Sequence, residues 1–180
     1  LLVGNTLSAW LKESGVDYGA IGIASYVTFA YNFKFLWSPA VDKFQLPLFG
    51  RLGLRRGWLM FALVLLAAGL LGMAAMPPTV SLARFMAVTL VAALAGATID
   101  IVVDAYRVEI APQEAQGALA ATYTLGYRLG LIAGGAGILI LADALGWQAG
   151  YLVICGLLVI PILAVLLARE PEHRVRERVP

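Results

Sequence analysis

The chain has 180 residues, of which 61% are hydrophobic and 13% are charged, and its mean hydropathy is +0.86. Roughly 25% of all residues in a soluble domain are charged, so this composition excludes a soluble domain and indicates a membrane protein. The net charge of +2 is too small to favour a nucleic-acid partner, and the single cysteine, Cys155, excludes an internal disulfide.

The apolar residues form long blocks, each close to the ~20 residues that a helix needs to cross about 30 Å of hydrocarbon. The blocks are continuous rather than alternating, so they predict helices and not the strands of a barrel. The predicted fold class is an all-α membrane protein, with a six-helix transmembrane bundle over 1–168 and a charged linker over 169–180. The first helix is interpreted as truncated. The six predicted spans are 1–11, 19–41, 58–76, 82–106, 115–141 and 147–168.

Basic residues are distributed unevenly between alternate loops, which predicts the orientation of the spans. The loop 42–57 and the tail 169–180 hold four Lys or Arg residues each, and Arg107 follows the fourth span. The three opposite loops hold only Lys12 and Arg84. The loop 42–57 and the tail are therefore expected in the cytoplasm. Six spans with both ends inside are typical of one half of a twelve-helix transporter.

Charged residues inside the predicted spans are candidates for function, because an unpaired charge in hydrocarbon is costly. Asp100 and Asp104 are four residues apart and share one face of the fourth helix, and Arg107 is within pairing reach of Asp104. Asp100 is one turn deeper than Asp104 and is a candidate proton carrier. Alternatively, these residues form a structural cluster that latches helices together at the cytoplasmic end.

Arg128 lies about 13 residues into the fifth span, roughly 20 Å at 1.5 Å per residue, which is too deep for snorkelling. Two interpretations stay open: Arg128 binds an anionic substrate, or it forms a structural ion pair with Asp100. Lys34 is nearer the inner end of the second span, where snorkelling explains it equally well. A stripe of small residues at Gly126, Gly130 and Gly134 indicates close helix packing and nothing more specific.

Several motifs occur together in an order and spacing that resemble those of one family. They are FKFLWSP at 33–39, RRGW at 55–58, DIVVDA at 100–105, GYRLG at 126–130 and GWQ at 146–148. These motifs, which extend over essentially the whole chain, resemble those of the AmpG-type muropeptide permeases of the major facilitator superfamily. The motifs at 33–39 and 126–130 are the most specific.

This resemblance implies a proton-coupled permease that imports anhydro-muropeptides, the sugar-peptides released from the cell wall, across the bacterial inner membrane. The expected partners are membrane lipid, protons, the sugar-peptide substrate and a missing C-terminal six-helix half of the same chain. The resemblance implies no enzyme activity, cofactor or metal.

The resemblance also implies roles for individual side chains. Substrate binding suits a deep cation together with tyrosines, whose ring faces contact sugars and whose hydroxyls form hydrogen bonds, namely Arg128, Tyr127, Tyr123 and Tyr106. Proton coupling or charge pairing is expected of Asp100, Asp104, Arg107 and Lys34. The acidic-then-basic signature of the superfamily is resembled by Asp42-Lys43 and Gly50-Arg51, stretched by an insertion, so the expected gating-loop residues are Asp42, Lys43 and Arg51.

Three other interpretations remain open at this point. The chain could belong to a related transporter for another anionic solute, such as acetyl-coenzyme A or a siderophore. The spacing of Gly96, Asp100 and Asp104 matches the end of the lipid phosphotransferase signature, but the upstream elements are displaced, so this enzyme is less favoured. The chain could also be a helical scaffold in which every charge pair is structural.

Overall fold

The computed structural model describes residues 4–171, and within that range the chain forms only helices, turns and irregular connections. The predicted linker therefore lies outside the described residues from position 172 onward, as do the first three residues of the first predicted span. The α-helices of the described range are α1 (Asn5–Glu13), α2 (Tyr18–Ala24), α3 (Phe29–Asn32), α4 (Ser38–Lys43), α5 (Leu54–Ala75), α6 (Leu82–Ile110), α7 (Gln116–Ile132), α8 (Ile138–Leu145), α9 (Trp147–Leu157) and α10 (Val159–Leu167).

Four helical segments of the described range are long and apolar enough to cross a membrane, judged by length and composition. They correspond to the third to sixth predicted spans. In the third segment a π-helical turn at Ala133–Gly137 joins α7 to α8. In the fourth, α9 ends and α10 begins around Leu158, three residues before Pro161, whose ring cannot donate the hydrogen bond that would continue the helix. The four segments are Leu54–Ala75, Leu82–Ile110, Gln113–Leu145 and Trp147–Leu167.

The second predicted span, 19–41, is not a continuous helix. It is divided into α2, a 3₁₀ turn at Ser25–Thr28, α3, a second 3₁₀ turn at Lys34–Leu36, and α4. Pro39 lies in the first turn of α4, where its missing N–H costs nothing, so it is compatible with a helix that begins at Ser38. Between α3 and α4 the chain leaves the α-helical path through the 3₁₀ turn at Lys34–Leu36.

The antiparallel pair α5 and α6 forms the centre of the fold. Gly69 on α5 faces Ala92 on α6 so closely that a Cβ at position 69 would lie 2.8 Å from the Ala92 Cβ. A turn further along α5, a Cβ at Gly72 would lie 2.9 Å from Val88. Small residues thus allow the two helices to approach closely, as is common between membrane helices.

Aromatic side chains join the ends of α1, α6 and α9, and we call this the Trp10 end of the molecule. The buried Trp10 ring lies 4.9 Å from the rings of Phe85 and Tyr151 and stacks on Trp147 at 5.7 Å. The Trp147 indole N–H donates to a carboxylate oxygen of Glu13 at 2.7 Å. Aromatic packing and one charge-assisted hydrogen bond therefore hold this end together.

The opposite end of the molecule is organised around Arg55, whose side chain is only 6% exposed. Its Nη1 donates to Asp42 at 2.7 Å, and its Nε donates to Glu109 at 3.0 Å while its Nη2 pairs with the other Glu109 oxygen. The bidentate geometry with Glu109 is the strongest form of an arginine–carboxylate contact. One guanidinium thus joins α4, the start of α5 and the end of α6, and we call this the Arg55 end.

Glu170 and Arg56 extend this network to the end of α10. The Glu170 carboxylate accepts hydrogen bonds from the backbone N–H groups of Arg55 at 2.7 Å and Arg56 at 3.0 Å. It thereby satisfies free donors at the start of α5 and opposes the positive end of that helix dipole. The Arg56 guanidinium donates in return to the carbonyls of Val165 and Leu166, which lie in the last turn of α10. The ends of α5 and α10 therefore cap each other.

We expect Gly69→Leu to destabilise the protein by about 1–3 kcal/mol, because the new side chain must force α5 away from Ala92. Thermal unfolding of the intact protein in detergent, followed by size-exclusion chromatography, measures the effect. Ala68→Leu is the matched control, since Ala68 is exposed on the same helix. Equal melting temperatures for the two variants would contradict the close contact.

Arg55→Gln should lower the stability of the intact protein by about 2–4 kcal/mol, because it leaves two carboxylates without their shared cation. The same thermal assay applies. Arg51→Gln removes an equal charge from an exposed position and should change the melting temperature little. A similar loss in both variants would show that net charge, and not the Arg55 pairs, matters at this end.

Candidate functional site

The polar residues of the predicted spans gather around the second half of α6. Asp100 and Asp104 are both half-buried there, one helical turn apart. Lys34, in the 3₁₀ turn after α3, and Asp104 are charged side chains within electrostatic range of Asp100. The turn carrying Lys34 contacts α6 directly. Lys34 therefore lies beside Asp100 because the second span is unwound at this depth.

Tyr31 on α3 is the closest neighbour of this stretch that sequence reasoning did not place in the site. A Cβ at Gly96 would collide with the Tyr31 hydroxyl oxygen, so the ring rests against the α6 backbone one turn before Asp100. The hydroxyl is within electrostatic range of Asp100, which lies four residues beyond Gly96 on the same face of α6, and of Tyr127 of α7. The available sequence signal was the position of Tyr31 three residues before Lys34, a spacing that would place both on one face of a helix.

Two tyrosines of α7 lie on the other side of the aspartates. The rings of Tyr123 and Tyr127 stack at 6.5 Å, and Tyr123 interacts electrostatically with Asp104, Asp100 and Arg107. The Arg107 guanidinium carbon lies 5.0 Å from the centre of the Tyr123 ring, a cation–π contact. The Arg107 Nε is buried and has no hydrogen-bond acceptor.

The predicted ion pairs of this region are replaced by weaker contacts. Within residues 4–171 the ion pairs are those of Arg55 with Asp42 and Glu109, so neither Asp104–Arg107 nor Asp100–Arg128 is paired there. Arg107 instead turns towards α7, where the Tyr123 ring covers it.

Arg128 and Tyr106 lie apart from this cluster. Arg128 is on an exposed face of α7, together with Leu125, Leu129 and Ile132, each of which is about 60% exposed. Tyr106 is at the Arg55 end, where its hydroxyl donates to the carbonyl of Arg169 at 2.8 Å. The structure therefore gathers Tyr123, Tyr127, Asp100, Asp104, Arg107 and Lys34, and leaves Arg128 and Tyr106 outside the group.

The residues expected in the gating loop are divided by the structure. Asp42 belongs to the Arg55 network, whereas Lys43 and Arg51 are exposed. The cation that pairs with Asp42 is thus Arg55 and not Arg51, because α5 begins at Leu54 and its first turn lies against the end of α4. Sequence reasoning included Arg55 as a basic loop residue and as part of the RRGW motif at 55–58, but it gave Arg55 no partner and did not single out Glu109.

A cavity of about 530 Å³ lies at the Trp10 end, away from the charged cluster. Trp10 and Trp147 line it together with Ser14, Thr79 and Gln148. None of the predicted site residues contributes to its wall. Among the described residues, no three His, Cys, Asp or Glu side chains converge as metal ligands would.

Comparison with known proteins relates the chain to one superfamily. The model of the Major Facilitator Superfamily matches residues 2–179. The chain is 43% identical over 175 residues to the anhydromuropeptide permease of Escherichia coli (strain K12), an alignment that covers 97% of this chain and 35% of that protein. It is 37% identical over 181 residues to the AmpG 4 protein of Rickettsia conorii, covering 99% of this chain and 44% of the relative.

The AmpG 1 protein of Rickettsia felis is more distant, at 28% identity over 183 residues, with 99% of this chain and 42% of the relative covered. The chain thus spans less than half the length of each of these relatives. No solved structure matches it. Since the superfamily model covers nearly every residue of the chain, the chain belongs to the Major Facilitator Superfamily.

Proposed function

We propose that this chain is part of a proton-coupled permease that imports anhydro-muropeptides across the bacterial inner membrane. The observation that carries this proposal is the 43% identity, over 97% of the chain, to a protein named anhydromuropeptide permease. Membership of the superfamily supports a transporter rather than a phosphotransferase or a scaffold. The substrate, the direction of import and the coupling to protons are all parts of the proposal.

The chain would form the N-terminal six-span half of this permease, with residues 1–168 as the bundle and 169–180 as the linker to the second half. In this topology α1 is the end of the first span, and the broken segment from α2 to α4 is the second. The uneven distribution of Lys and Arg supports a cytoplasmic Arg55 end and a periplasmic Trp10 end. The exposed apolar face of α7 would contact the second half.

Asp100 is the proposed proton carrier. It is half-buried on a predicted span, has no ion-pair partner within residues 4–171, and lies within electrostatic range of Lys34 and Asp104. A carboxylate in such surroundings can gain or lose a proton without breaking a salt bridge. Asp104, Arg107 and Lys34 would supply the compensating charges.

Arg128 is the proposed ligand for a carboxylate of the substrate, and the stacked Tyr123 and Tyr127 rings are the proposed platform for its sugars. In transporters built from two related halves, substrate binds between the halves near the membrane midplane. An exposed arginine on the face of α7 suits that location. Tyr106 is not retained in this role, because its hydroxyl is bonded to the Arg169 carbonyl.

The proposed gate at the cytoplasmic end is the Arg55 network rather than a contact between Asp42 and Arg51. Asp42 supplies the acidic residue of the superfamily signature, and Arg55 supplies its cation. Lys43 and Arg51 are exposed at the same end and are available to the second half or to lipid headgroups.

Uptake of labelled anhydro-muropeptide into cells expressing the intact protein should be abolished by a proton uncoupler. One proton moving down about 100 mV supplies about 2.3 kcal/mol, which supports roughly fortyfold accumulation. Asp100→Asn should reduce accumulation to near unity at matched protein levels. Asp143→Asn, which changes an exposed carboxylate on α8, should not. Accumulation that survives Asp100→Asn would exclude Asp100 as the carrier.

Arg128→Ala should weaken substrate binding by about tenfold or more, because a charge-assisted contact to a carboxylate is worth about 1.5–3 kcal/mol. The KM for uptake reports this loss, and Arg84→Ala is the control at an exposed arginine of α6. Uptake of a neutral sugar analogue should be unaffected by either substitution. If wild-type protein fails to take up anhydro-muropeptide at all, the permease carries another anionic solute.

A further inference from the structure

The contact between Tyr31 and Gly96 connects the unwound second span to the helix that carries Asp100. A Cβ at position 96 would collide with the Tyr31 hydroxyl oxygen and would lie 3.3 Å from the ring carbon that bears it. Glycine inside a helix costs about 1 kcal/mol relative to alanine. The close approach of the Tyr31 ring explains why the residue at position 96 has no side chain.

The Tyr31 hydroxyl lies in the electrostatic surroundings of the proposed proton carrier. Gly96 and Asp100 are four residues apart and share one face of α6, so a hydroxyl that rests on Gly96 lies near the Asp100 carboxylate, and the phenol of Tyr127 is within electrostatic range of that hydroxyl. These three groups come from three separate elements, α3, α6 and α7. A phenol can donate one hydrogen bond to a carboxylate while accepting another from a second phenol. Tyr31 therefore has the chemistry to orient Asp100 and to connect it to the tyrosines of α7.

A second anchor holds the same segment on α6. The Trp37 indole N–H donates to the Thr98 hydroxyl at 3.2 Å, and that hydroxyl donates to the Leu94 carbonyl at 2.8 Å. Tyr31 and Trp37 lie on either side of Lys34 in sequence, so the two anchors together fix the turn that carries the Lys34 ammonium. The groups that surround Asp100 are thus Tyr31 and Lys34 from this segment, Asp104 on its own helix, and Tyr123 on α7.

We propose that Tyr31, whose ring packs against the backbone of Gly96, is a positioning residue for Asp100. Its hydroxyl would control the coupling of proton movement to substrate transport. The proposal rests on the proposed function, since it assigns a role in proton-coupled transport. It adds Tyr31, which is uncharged and lies three residues before Lys34, so no pattern of charged residues reveals it. The position of the Tyr31 ring and the role of its hydroxyl can be tested by separate substitutions.

The ring position is tested by rescue. Gly96→Ala should lower the thermal stability of the intact protein, because the new methyl group displaces the Tyr31 hydroxyl. Adding Tyr31→Phe removes the colliding oxygen and should recover at least half of that loss. Gly117→Ala is the control for the glycine, since a Cβ there meets no atom within 4 Å. A double variant that is as unstable as Gly96→Ala, or less stable, would contradict the proposed contact between Tyr31 and Gly96.

The role of the hydroxyl is tested by comparing two transport modes in membrane vesicles. Tyr31→Phe should lower proton-driven uptake of labelled anhydro-muropeptide about tenfold, because it removes the hydrogen bond that the proposal assigns between the hydroxyl and the Asp100 carboxylate during transport. Exchange of labelled for unlabelled substrate needs no net proton movement and should stay within about twofold of wild type. Tyr26→Phe, at an exposed tyrosine five residues earlier, should change neither mode. Equal losses in uptake and exchange would reduce Tyr31 to a structural residue.

Different results would refute the permease function and the role of Tyr31. If Asp100→Asn abolishes uptake and Tyr31→Phe leaves it intact, the permease function stands and the role of Tyr31 is refuted. If wild-type protein neither accumulates nor exchanges anhydro-muropeptide, the proposed function fails and the coupling role of Tyr31 fails with it. The rescue of Gly96→Ala uses no substrate, so it still decides whether Tyr31 packs against Gly96 of α6.

Discussion

The burial of the Arg55 guanidinium is the constraint on which the arrangement of the other elements depends. A cation that is 6% exposed must be surrounded by acceptors, and the acceptors come from α4 through Asp42 and from the end of α6 through Glu109. Its backbone N–H is bonded as well, to Glu170 beyond α10. Three elements, α4, α5 and α6, must therefore meet before this charge is satisfied, which fixes the register of α5 against α6, and Glu170 brings the segment after α10 to the same point.

With that end fixed by charge and the Trp10 end fixed by stacked rings, the pair α5 and α6 forms a rigid centre with neighbours on both sides. The side that carries α3 and the Lys34 turn is attached through Tyr31 and Trp37. The side that carries α7 is attached through the contact of Arg107 with Tyr123 and through the Gln116 side-chain amide, which donates to carbonyls at the end of α6, and α7 has no buried residue. The proposed site therefore lies where a firmly held helix meets a loosely held one, which suits a transporter whose halves rearrange around the substrate.

The long apolar spans from 54 to 167 could be predicted from sequence, because hydrophobic length alone specifies them and Pro77, Pro112 and Gly146 mark their ends. The division of 19–41 could not, because an apolar composition is the same for a straight helix and a broken one. The gathering of Asp100, Asp104 and Arg107 follows from helical spacing. The partners of Arg55 lie 13 and 54 residues away, and no local pattern specifies such pairs.

The charge balance of the cluster connects proton and substrate in the proposed mechanism. Asp100 and Asp104 carry two negative charges, and Lys34 and Arg107 carry two positive ones, so the ionised cluster is neutral. Arg128, outside it, is then an uncompensated cation facing the proposed substrate path. Protonation of Asp100 makes the cluster positive, which favours an anionic substrate nearby. By linkage, a bound anion must favour protonation of Asp100 by the same factor. Coupling would thus follow from electrostatics alone, provided that Tyr31 holds the carboxylate where both the proton and the substrate affect it.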